Sequence, residues 1–315
     1  MSEVLIKPES LKPGDTIGIL SPAGVVRDEH LWDTTTSYFE SKGYKVKIAQ
    51  HAGDKKDYLA GRDEDRANDI NTFFKDDSIK AIICSRGGYG SHRILDKIDY
   101  ELIKENPKIF YGYSDITALH AAINKFSGVI TFHGPLALSD FGNKNNDEYT
   151  INTFFEIVEG KIQPPYTFNN PCNYECLYPG QVKGKLAGGN LAVLVSLLGT
   201  KYFPDLKDKI LLLEDIGEPL YKIDRMLMQL KLAGIFEQVK GILFADFTGI
   251  CKNNGKQTKA DVKNLIKELL SEYKIPAGYG FPASHEKIKA TLPLGVEYEF
   301  NADKNSLSII DKYIK

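Results

Sequence analysis

The stretch Lys108–Lys125, KIFYGYSDITALHAAINK, is the part of the sequence that best indicates the fold. An apolar run at 109–113 predicts a buried strand, and the apolar spacing at 116–123 predicts a helix. Ser114 therefore lies at a sharp turn between a strand and a helix. This arrangement is typical of a sheet whose strands are each followed by a helix.

Ser114 has two interpretations. At such a turn its hydroxyl would project from the end of the sheet, and the unpaired amides of the first helical turn could stabilise an oxyanion. The local pattern is G-x-S-D, which lacks the second glycine of the G-x-S-x-G nucleophile elbow. Ser114 or Asp115 could instead cap the helix, and this stretch alone favours capping because serine before a helix is most often a cap.

The N-terminal half alternates strands with helices. Apolar strand patterns at 15–20, 44–49 and 80–84 are separated by helical patterns at 28–42 and 63–74. This alternation predicts a parallel sheet covered by helices on both faces. A functional site is then expected at the carboxyl ends of the strands.

The length of 315 residues is comfortable for two domains. Residues 1–160 are predicted to form the N-terminal domain. Residues 161–181 are rich in Pro, Asn and Tyr and are predicted to be a linker. Residues 182–315 are predicted to form a second domain of mixed strands and helices, with a hairpin at 295–310.

Composition excludes several classes of function. A hydrophobic content of 42% and a charged content of 26% are ordinary for a soluble globular protein. The net charge of −2, with scattered lysines, argues against a nucleic-acid partner. No apolar run reaches the roughly 18 residues of a membrane span. The N-terminal residues lack a basic segment followed by an apolar one, so no secretory signal is expected.

The cysteines are Cys84, Cys172, Cys176 and Cys251. Cys172 and Cys176 lie in the segment PCNYEC, and a metal pair there is conceivable. Metal sites usually use a second pair or nearby histidines, and the sequence has neither close by. We therefore expect reduced cysteines and no metal at this pair.

Three polar residues follow apolar strand patterns and could act together: Ser114, Glu214 and His285. A serine hydroxyl needs a base within hydrogen-bond reach, and histidine is suited to that role. A carboxylate on the other ring nitrogen fixes the tautomer of the histidine. The residues thus allow a catalytic triad in the chain order Ser, Glu, His.

Other residues compete for two of these roles. Glu214 and Asp215 could simply form surface ion pairs, and Glu218 competes with them as the orienting acid. His133 also follows an apolar strand and is the main alternative to His285. The positions of these residues in the sequence leave the choice open, since triad geometry does not follow a fixed order.

The glycine-rich segment 87–90, GGYG, follows a predicted strand and precedes a predicted helix. Such a loop could bind a phosphate, although it does not match G-x-G-x-x-G. It could also bring backbone amides close to a ligand and contribute to an oxyanion hole. A tight turn without function explains the glycines equally well.

Taken together, the motifs resemble those of the LD-carboxypeptidases, a family of serine peptidases that includes the microcin-immunity peptidases. RGGYG, GYSDIT and LEDxGE form the most specific part of the resemblance. The similar segments run through nearly the whole chain: SPAG at 21–24, LAGRDEDRANDIN at 59–71, the segment from 81 to 120, HGP at 133–135, GKLAGGNLAVL at 184–194, LLLEDIGEPLYKIDRMLMQL at 211–230 and GFPASH at 280–285.

The resemblance implies site residues. Ser114 would be the nucleophile, Glu214 the acid and His285 the base. The backbone amides of Gly88 and Asp115 would form the oxyanion hole.

The resemblance also implies a fold and an activity. The N-terminal domain would be flavodoxin-like, and the smaller C-terminal domain would mix strands and helices. The enzyme would release terminal D-Ala from murein tetrapeptides in the cytoplasm during cell-wall recycling, without a metal or cofactor. The microcin-immunity branch, which cleaves an aminoacyl nucleotide conjugate, is the alternative, and a non-catalytic anion-binding module is a further one. A homodimer is expected.

A carboxypeptidase must also bind the free carboxylate of its substrate, which calls for a cation or an amide cluster near the nucleophile. Arg86 precedes the glycine-rich segment and is the candidate for this role. Its alternative is a structural salt bridge or helix contact.

Overall fold

The computed structural model describes residues 5–143, 147–172, 174–250 and 257–315. Cys251 lies outside these residues. The described chain divides into two compact units. The first contains the residues up to Ile162, together with 290–294 and 312–315. The second contains residues 163–289 and 295–311. No helix in the described part of the chain is long and apolar enough to cross a bilayer.

In the first unit, six strands of the described chain form one sheet in the order β2-β1-β3-β4-β5-β12. The first five strands pair in parallel, and β12 is antiparallel to β5 at the edge. The order 2-1-3-4-5 is that of flavodoxin-like folds. The strands are β1 (Thr16–Leu20), β2 (Lys45–Ile48), β3 (Ile79–Cys84), β4 (Ile109–Gly112), β5 (Thr131–His133) and β12 (Leu292–Leu294).

Helices follow most of these strands, as the alternation of patterns predicted. On α2 the residues Ala67, Ile70 and Phe74 recur at helical spacing and are buried. The helices are α1 (His30–Ser41), α2 (Asp63–Lys75), α3 (Tyr100–Glu105), α4 (Thr117–Phe126) and α5 (Glu148–Val158). Two 3₁₀ segments, Ser91–Lys97 and Ser114–Ile116, complete the turns after β3 and β4.

The second unit contains a mixed sheet. Eight strands of its described residues lie in the order β6-β14-β13-β8-β9-β10-β11-β7, with β8 to β11 parallel and the outer strands antiparallel. The strands are β6 (Tyr166–Thr167), β7 (Glu175–Tyr178), β8 (Gln181–Asn190), β9 (Ile210–Ile216), β10 (Gly241–Thr248), β11 (Ala277–Phe281), β13 (Glu297–Asn301) and β14 (Ser306–Ile309). The helices are α6 (Leu191–Ser196), α7 (Leu220–Leu232) and α8 (Lys259–Leu270).

The predicted fold class, a flavodoxin-like sheet followed by a smaller mixed unit, is confirmed. Details differ. The segment 161–181, predicted as a linker, contains β6 and β7, which join the edges of the second sheet. Residues 290–294 return to the first unit and supply β12. β12 includes Pro293, which has no N–H to donate and is therefore suited to the edge of a sheet.

Candidate active site

Ser114 adopts a backbone conformation that a serine rarely takes. Its φ is +65°, in the left-handed region, and it follows Tyr113, which is extended. The residue begins a 3₁₀ turn directly after β4 and remains partly exposed. Strain of this kind costs about 1–3 kcal/mol and is concentrated at functional sites. The turn has the backbone of a nucleophile elbow.

The capping interpretation of this turn does not fit the described contacts. The N-cap residue of α4 is Ile116, whose side chain makes no capping hydrogen bond. The Asp115 carboxylate is buried and its Oδ2 accepts the Ser91 N–H at 2.8 Å. Burial raises the pKa of Asp115. Asp115 therefore ties the elbow to the segment that follows the glycine-rich loop.

Gly87 lies directly against Ser114. A Cβ added at Gly87 would be 2.8 Å from the Cβ of Ser114, 2.9 Å from its Oγ and 3.4 Å from the Asp115 nitrogen. The Gly87 carbonyl accepts the Gly24 N–H at 3.1 Å, which joins the SPAG turn to this loop. Only glycine allows such an approach, so the loop backbone forms one wall beside the hydroxyl.

Arg66 is a buried residue that the sequence analysis did not single out. Its Nη1 donates to the carbonyls of Pro22 and Gly90, the latter at 2.9 Å, and its Nη2 pairs with Asp63 at 2.5 Å. One guanidinium thus joins the turn after β1 to the loop after β3. The sequence feature that could have identified Arg66 is its position within the motif LAGRDEDRANDIN.

A cleft of about 620 Å³ adjoins the glycine-rich loop in the first unit. Its Arg86 side chain is held in place because Nη1 donates to the Val25 carbonyl at 2.8 Å. The Nε of Arg86 is buried and has no hydrogen-bond partner in the described part of the chain. None of the described lining residues carries a carboxylate. They are Gly24, Val25, Arg27, Tyr58, Arg86, Gly88 and Tyr89.

In the second unit, Glu214 and His285 form a hydrogen-bonded pair. The Nδ1 of His285 lies 2.7 Å from Oε2 of Glu214. The Glu214 side chain is fully buried, while that of His285 is 11% exposed. Glu214 lies inside β9, opposite Asn190 of β8, rather than just after the strand as expected. The carboxylate thereby orients the imidazole through its Nδ1.

The alternative acids and base occupy different environments. The Asp215 carboxylate accepts the Ala192 and Ile216 N–H groups, at 3.0 and 2.8 Å, and burial followed by the charge of Glu214 raises its pKa to about 6. The Glu218 carboxylate lies 3.3 Å from the Lys222 ammonium. His133 lies in β5, in the first unit.

Asn190 is a further buried polar residue that the sequence analysis missed. It ends β8 and its side-chain nitrogen lies 3.1 Å from both Glu214 Oε1 and Asp215 Oδ1. The only sequence signal was its position in GGN before a helical pattern.

A metal at the cysteines finds no support in the described residues. The group of ligand atoms there that could share an ion consists of His51, Asp54 and Asp65, and includes neither Cys172 nor Cys176. His51 already pairs with Asp54 at 3.0 Å, and Asp65 accepts two hydrogen bonds from Arg62.

Residues 17–134 match the family model described as the LD-carboxypeptidase N-terminal domain, and residues 183–300 match the LD-carboxypeptidase C-terminal domain. A protein of Bacillus subtilis (strain 168), "Probable murein peptide carboxypeptidase", is 37% identical over 96% of this chain and 93% of its own length.

Solved structures that are similar over nearly the whole chain include an immunity protein and a carboxypeptidase. Microcin C7 self immunity protein MccF in complex with aspartyl sulfamoyl adenosine has a TM-score of 0.90 and 28% identity, covering 98% of this chain and 100% of its own. Muramoyltetrapeptide carboxypeptidase from Oxalobacter formigenes has a TM-score of 0.81 and 31% identity, covering 95% and 100%.

Proposed function

Because the chain belongs to the LD-carboxypeptidase family and is a serine-type carboxypeptidase, we propose that it releases terminal D-Ala from murein tetrapeptides. The bond cleaved joins an L-centre, of diaminopimelate or lysine, to that D-Ala. The observation that carries the proposal is the left-handed Ser114 at a strand-to-helix turn. The names of the Bacillus subtilis and Oxalobacter formigenes proteins, which specify murein and muramoyltetrapeptide, support the substrate.

The proposed reaction is acyl transfer through a triad of Ser114, His285 and Glu214. The Ser114 hydroxyl attacks the carbonyl of the scissile bond, and His285 accepts its proton. His285 then returns the proton to the leaving amine of D-Ala, which leaves an acyl-enzyme. Water activated by His285 hydrolyses this ester. Glu214 holds the Nδ1 of His285 and stabilises the imidazolium, as their 2.7 Å separation allows.

The negative charge of the tetrahedral intermediate needs hydrogen-bond donors. We assign the backbone N–H groups of Gly88 and Asp115 to this oxyanion hole. The close packing of Gly87 against Ser114 Oγ and the Asp115 nitrogen supports the assignment, since it places loop backbone beside the hydroxyl. Such donors are worth about 10²–10³ in kcat in comparable sites.

We propose that Arg86 binds the terminal carboxylate of the substrate. Its side chain lines the cleft beside the glycine-rich loop, and the bond from Nη1 to Val25 fixes the guanidinium in advance. The absence of carboxylates among the described lining residues of the cleft favours an anionic ligand.

The decisive experiment incubates the purified protein with murein tetrapeptide and follows the loss of one alanine by mass spectrometry. Ser114→Ala should lower the rate about 10⁴-fold or more. Ser41→Ala, which removes an exposed hydroxyl at the end of α1, should have no effect. Activity of Ser114→Ala within tenfold of the wild type would refute the nucleophile.

The role of Arg86 is tested with a tetrapeptide whose terminal carboxylate is amidated. If Arg86 pairs with the carboxylate, Arg86→Ala should lose about 10²–10⁴ in kcat/KM on the acid and little further on the amide. Equal losses on both peptides would show that Arg86 is structural.

A microcin-immunity type of activity is the second candidate function, favoured by the similarity to MccF with aspartyl sulfamoyl adenosine bound. Competition between that compound and the tetrapeptide distinguishes the two. Cleavage of the aminoacyl nucleotide with a higher kcat/KM than the tetrapeptide would overturn the murein assignment. The serine mechanism would then remain, because both substrates need the same nucleophile.

We also propose that the enzyme acts in the cytoplasm during cell-wall recycling and forms a homodimer. The murein peptide named for the Bacillus subtilis relative supports the first part. Cell fractionation tests the location, and light scattering coupled to size exclusion tests the dimer. Recovery outside the cytoplasm, or a mass near the 35.2 kDa of one chain, would contradict the respective proposal.

A further inference from the structure

Asn190 contacts both carboxylates of the Glu214–Asp215 pair. It ends β8 directly opposite Glu214 in the parallel register with β9. Its side-chain nitrogen lies 3.1 Å from Glu214 Oε1 and 3.1 Å from Asp215 Oδ1. An amide NH₂ group has two hydrogens, so one can point to each carboxylate. Asn190 therefore joins two neighbouring buried acids.

The orientation of this amide is fixed by the other end of the same side chain. Its Oδ1 accepts the Val193 N–H at 3.1 Å and so caps α6. Because an N–H must face an oxygen, the flipped amide would place two donors against each other at Val193 and two acceptors against each other at Glu214. The cap thus determines that NH₂, not oxygen, faces the acids.

The two oxygens of Glu214 then have different partners. Oε2 lies 2.7 Å from His285 Nδ1, and Oε1 accepts from Asn190. A carboxylate held at both oxygens in a fully buried position cannot rotate away from the imidazole. The orientation of His285 is therefore set through Glu214 by Asn190.

The same Asn190 donor also bonds to Asp215. Its carboxylate is buried beside Glu214, and the charge of Glu214 is one cause of its raised pKa. Two adjacent carboxylates repel each other, and a hydrogen-bond donor shared between them favours their charged forms. The Asn190 amide is such a donor, and it carries no charge that would compete with His285 for Glu214.

The structure assigns Asn190 as a positioning residue for the catalytic acid: its amide holds Glu214 toward His285 and separates Glu214 from Asp215. This assignment rests on the proposed triad. It does not require Asn190 to touch the substrate, so its loss should lower kcat and leave KM nearly unchanged.

Three variants separate the donor from the cap. Asn190→Ser keeps an oxygen that can cap α6 but removes the NH₂ donor. Asn190→Ala removes both and should lower Tm by roughly 2–4 °C relative to Asn190→Ser. Asn190→Asp keeps the cap and places a third carboxyl beside Glu214 and Asp215.

The experiment measures kcat and KM on the tetrapeptide, Tm, and the rate at which a fluorophosphonate probe labels Ser114. We expect Asn190→Ser and Asn190→Ala to lose about 10- to 100-fold in kcat and in labelling rate, with KM within about threefold. Asn190→Asp should lose more, because like charges surround Glu214.

Two results would overturn the assignment. Full activity of Asn190→Ser beside a less stable Asn190→Ala would mean that the residue only caps α6. A raised KM with unchanged kcat and labelling rate would mean that it binds substrate. The labelling rate needs no peptide, so it tests Asn190 even if the wild type fails to cleave the tetrapeptide, a failure that would count against the proposed substrate alone.

Discussion

Substitution of Gly87 by alanine should disable the enzyme while leaving its fold in place. The added Cβ would lie 2.8 Å from Ser114 Cβ and 2.9 Å from Ser114 Oγ, closer than the 3.0 Å that real Cβ atoms respect. Ordinary contact begins near 3.4 Å, so the two segments must separate by roughly half an ångström or the serine must leave its position. Overpacking of this kind costs about 1–3 kcal/mol of stability. Because a misplacement of 1 Å costs about 10²-fold in rate, kcat/KM should fall by about 10- to 100-fold.

The assay compares tetrapeptide hydrolysis, fluorophosphonate labelling of Ser114 and Tm in Gly87→Ala and a matched control. Gly53→Ala is suitable, because a Cβ there has no atom within 4 Å and Gly53, like Gly87, lacks a positive φ. The control should retain full activity. The reasoning fails if Gly87→Ala is folded and its kcat/KM stays within threefold of the control.

Three further results are expected. Glu214→Gln should lower kcat about 10³- to 10⁴-fold in the same hydrolysis assay, since the neutral amide cannot stabilise the His285 imidazolium; a loss under tenfold would contradict this. Hydrolysis should be unchanged by EDTA, because the proposed nucleophile is activated by a histidine; loss on chelation with recovery by zinc would contradict this. Burial lowers the pKa of His120 to about 3. Between pH 6.5 and pH 3 the unfolded chain therefore binds a proton at this residue that the folded chain does not bind. The free energy of unfolding, measured by urea denaturation, should therefore fall as the pH is lowered through that range. It should fall less steeply with pH in His120→Gln, and equal slopes in the two proteins would contradict this.

Much of the fold follows from local patterns. The apolar spacing of α2 and the apolar strand β4 appear within a few residues of sequence, and both elements are found where the patterns lie. The hairpin of β13 and β14 likewise follows from alternation along the tail. In each case the pattern of buried residues repeats with the period of the element itself, so no distant partner is needed to identify it.

Other features depend on partners far away in the chain. Arg66 bonds to Pro22, 44 residues earlier, and to Gly90, 24 residues later. Asn190 meets Glu214 across 24 residues. In the sequence, a buried arginine or asparagine cannot be told from a surface residue. Nothing in the neighbouring residues shows that its polar groups will find hydrogen-bond partners in the protein interior. β12 has only three residues, too few for a pattern of burial to repeat.

The sequence GYSDITALH combines both kinds of information. The left-handed conformation of Ser114 is costly, and contacts on either side of it compensate. Before it, the Gly112 carbonyl accepts from His120 Nε2 at 2.8 Å. After it, Asp115 accepts the Ser91 N–H, and Gly87 packs on Ser114 itself. The short motif therefore contains both the strained Ser114 and His120, which bonds to the Gly112 carbonyl. The other contacts come from Gly87 and Ser91, in the segment that follows β3. This arrangement supports our proposal that Ser114 is the nucleophile, since a helix cap would need neither the strained φ nor the glycine beside it.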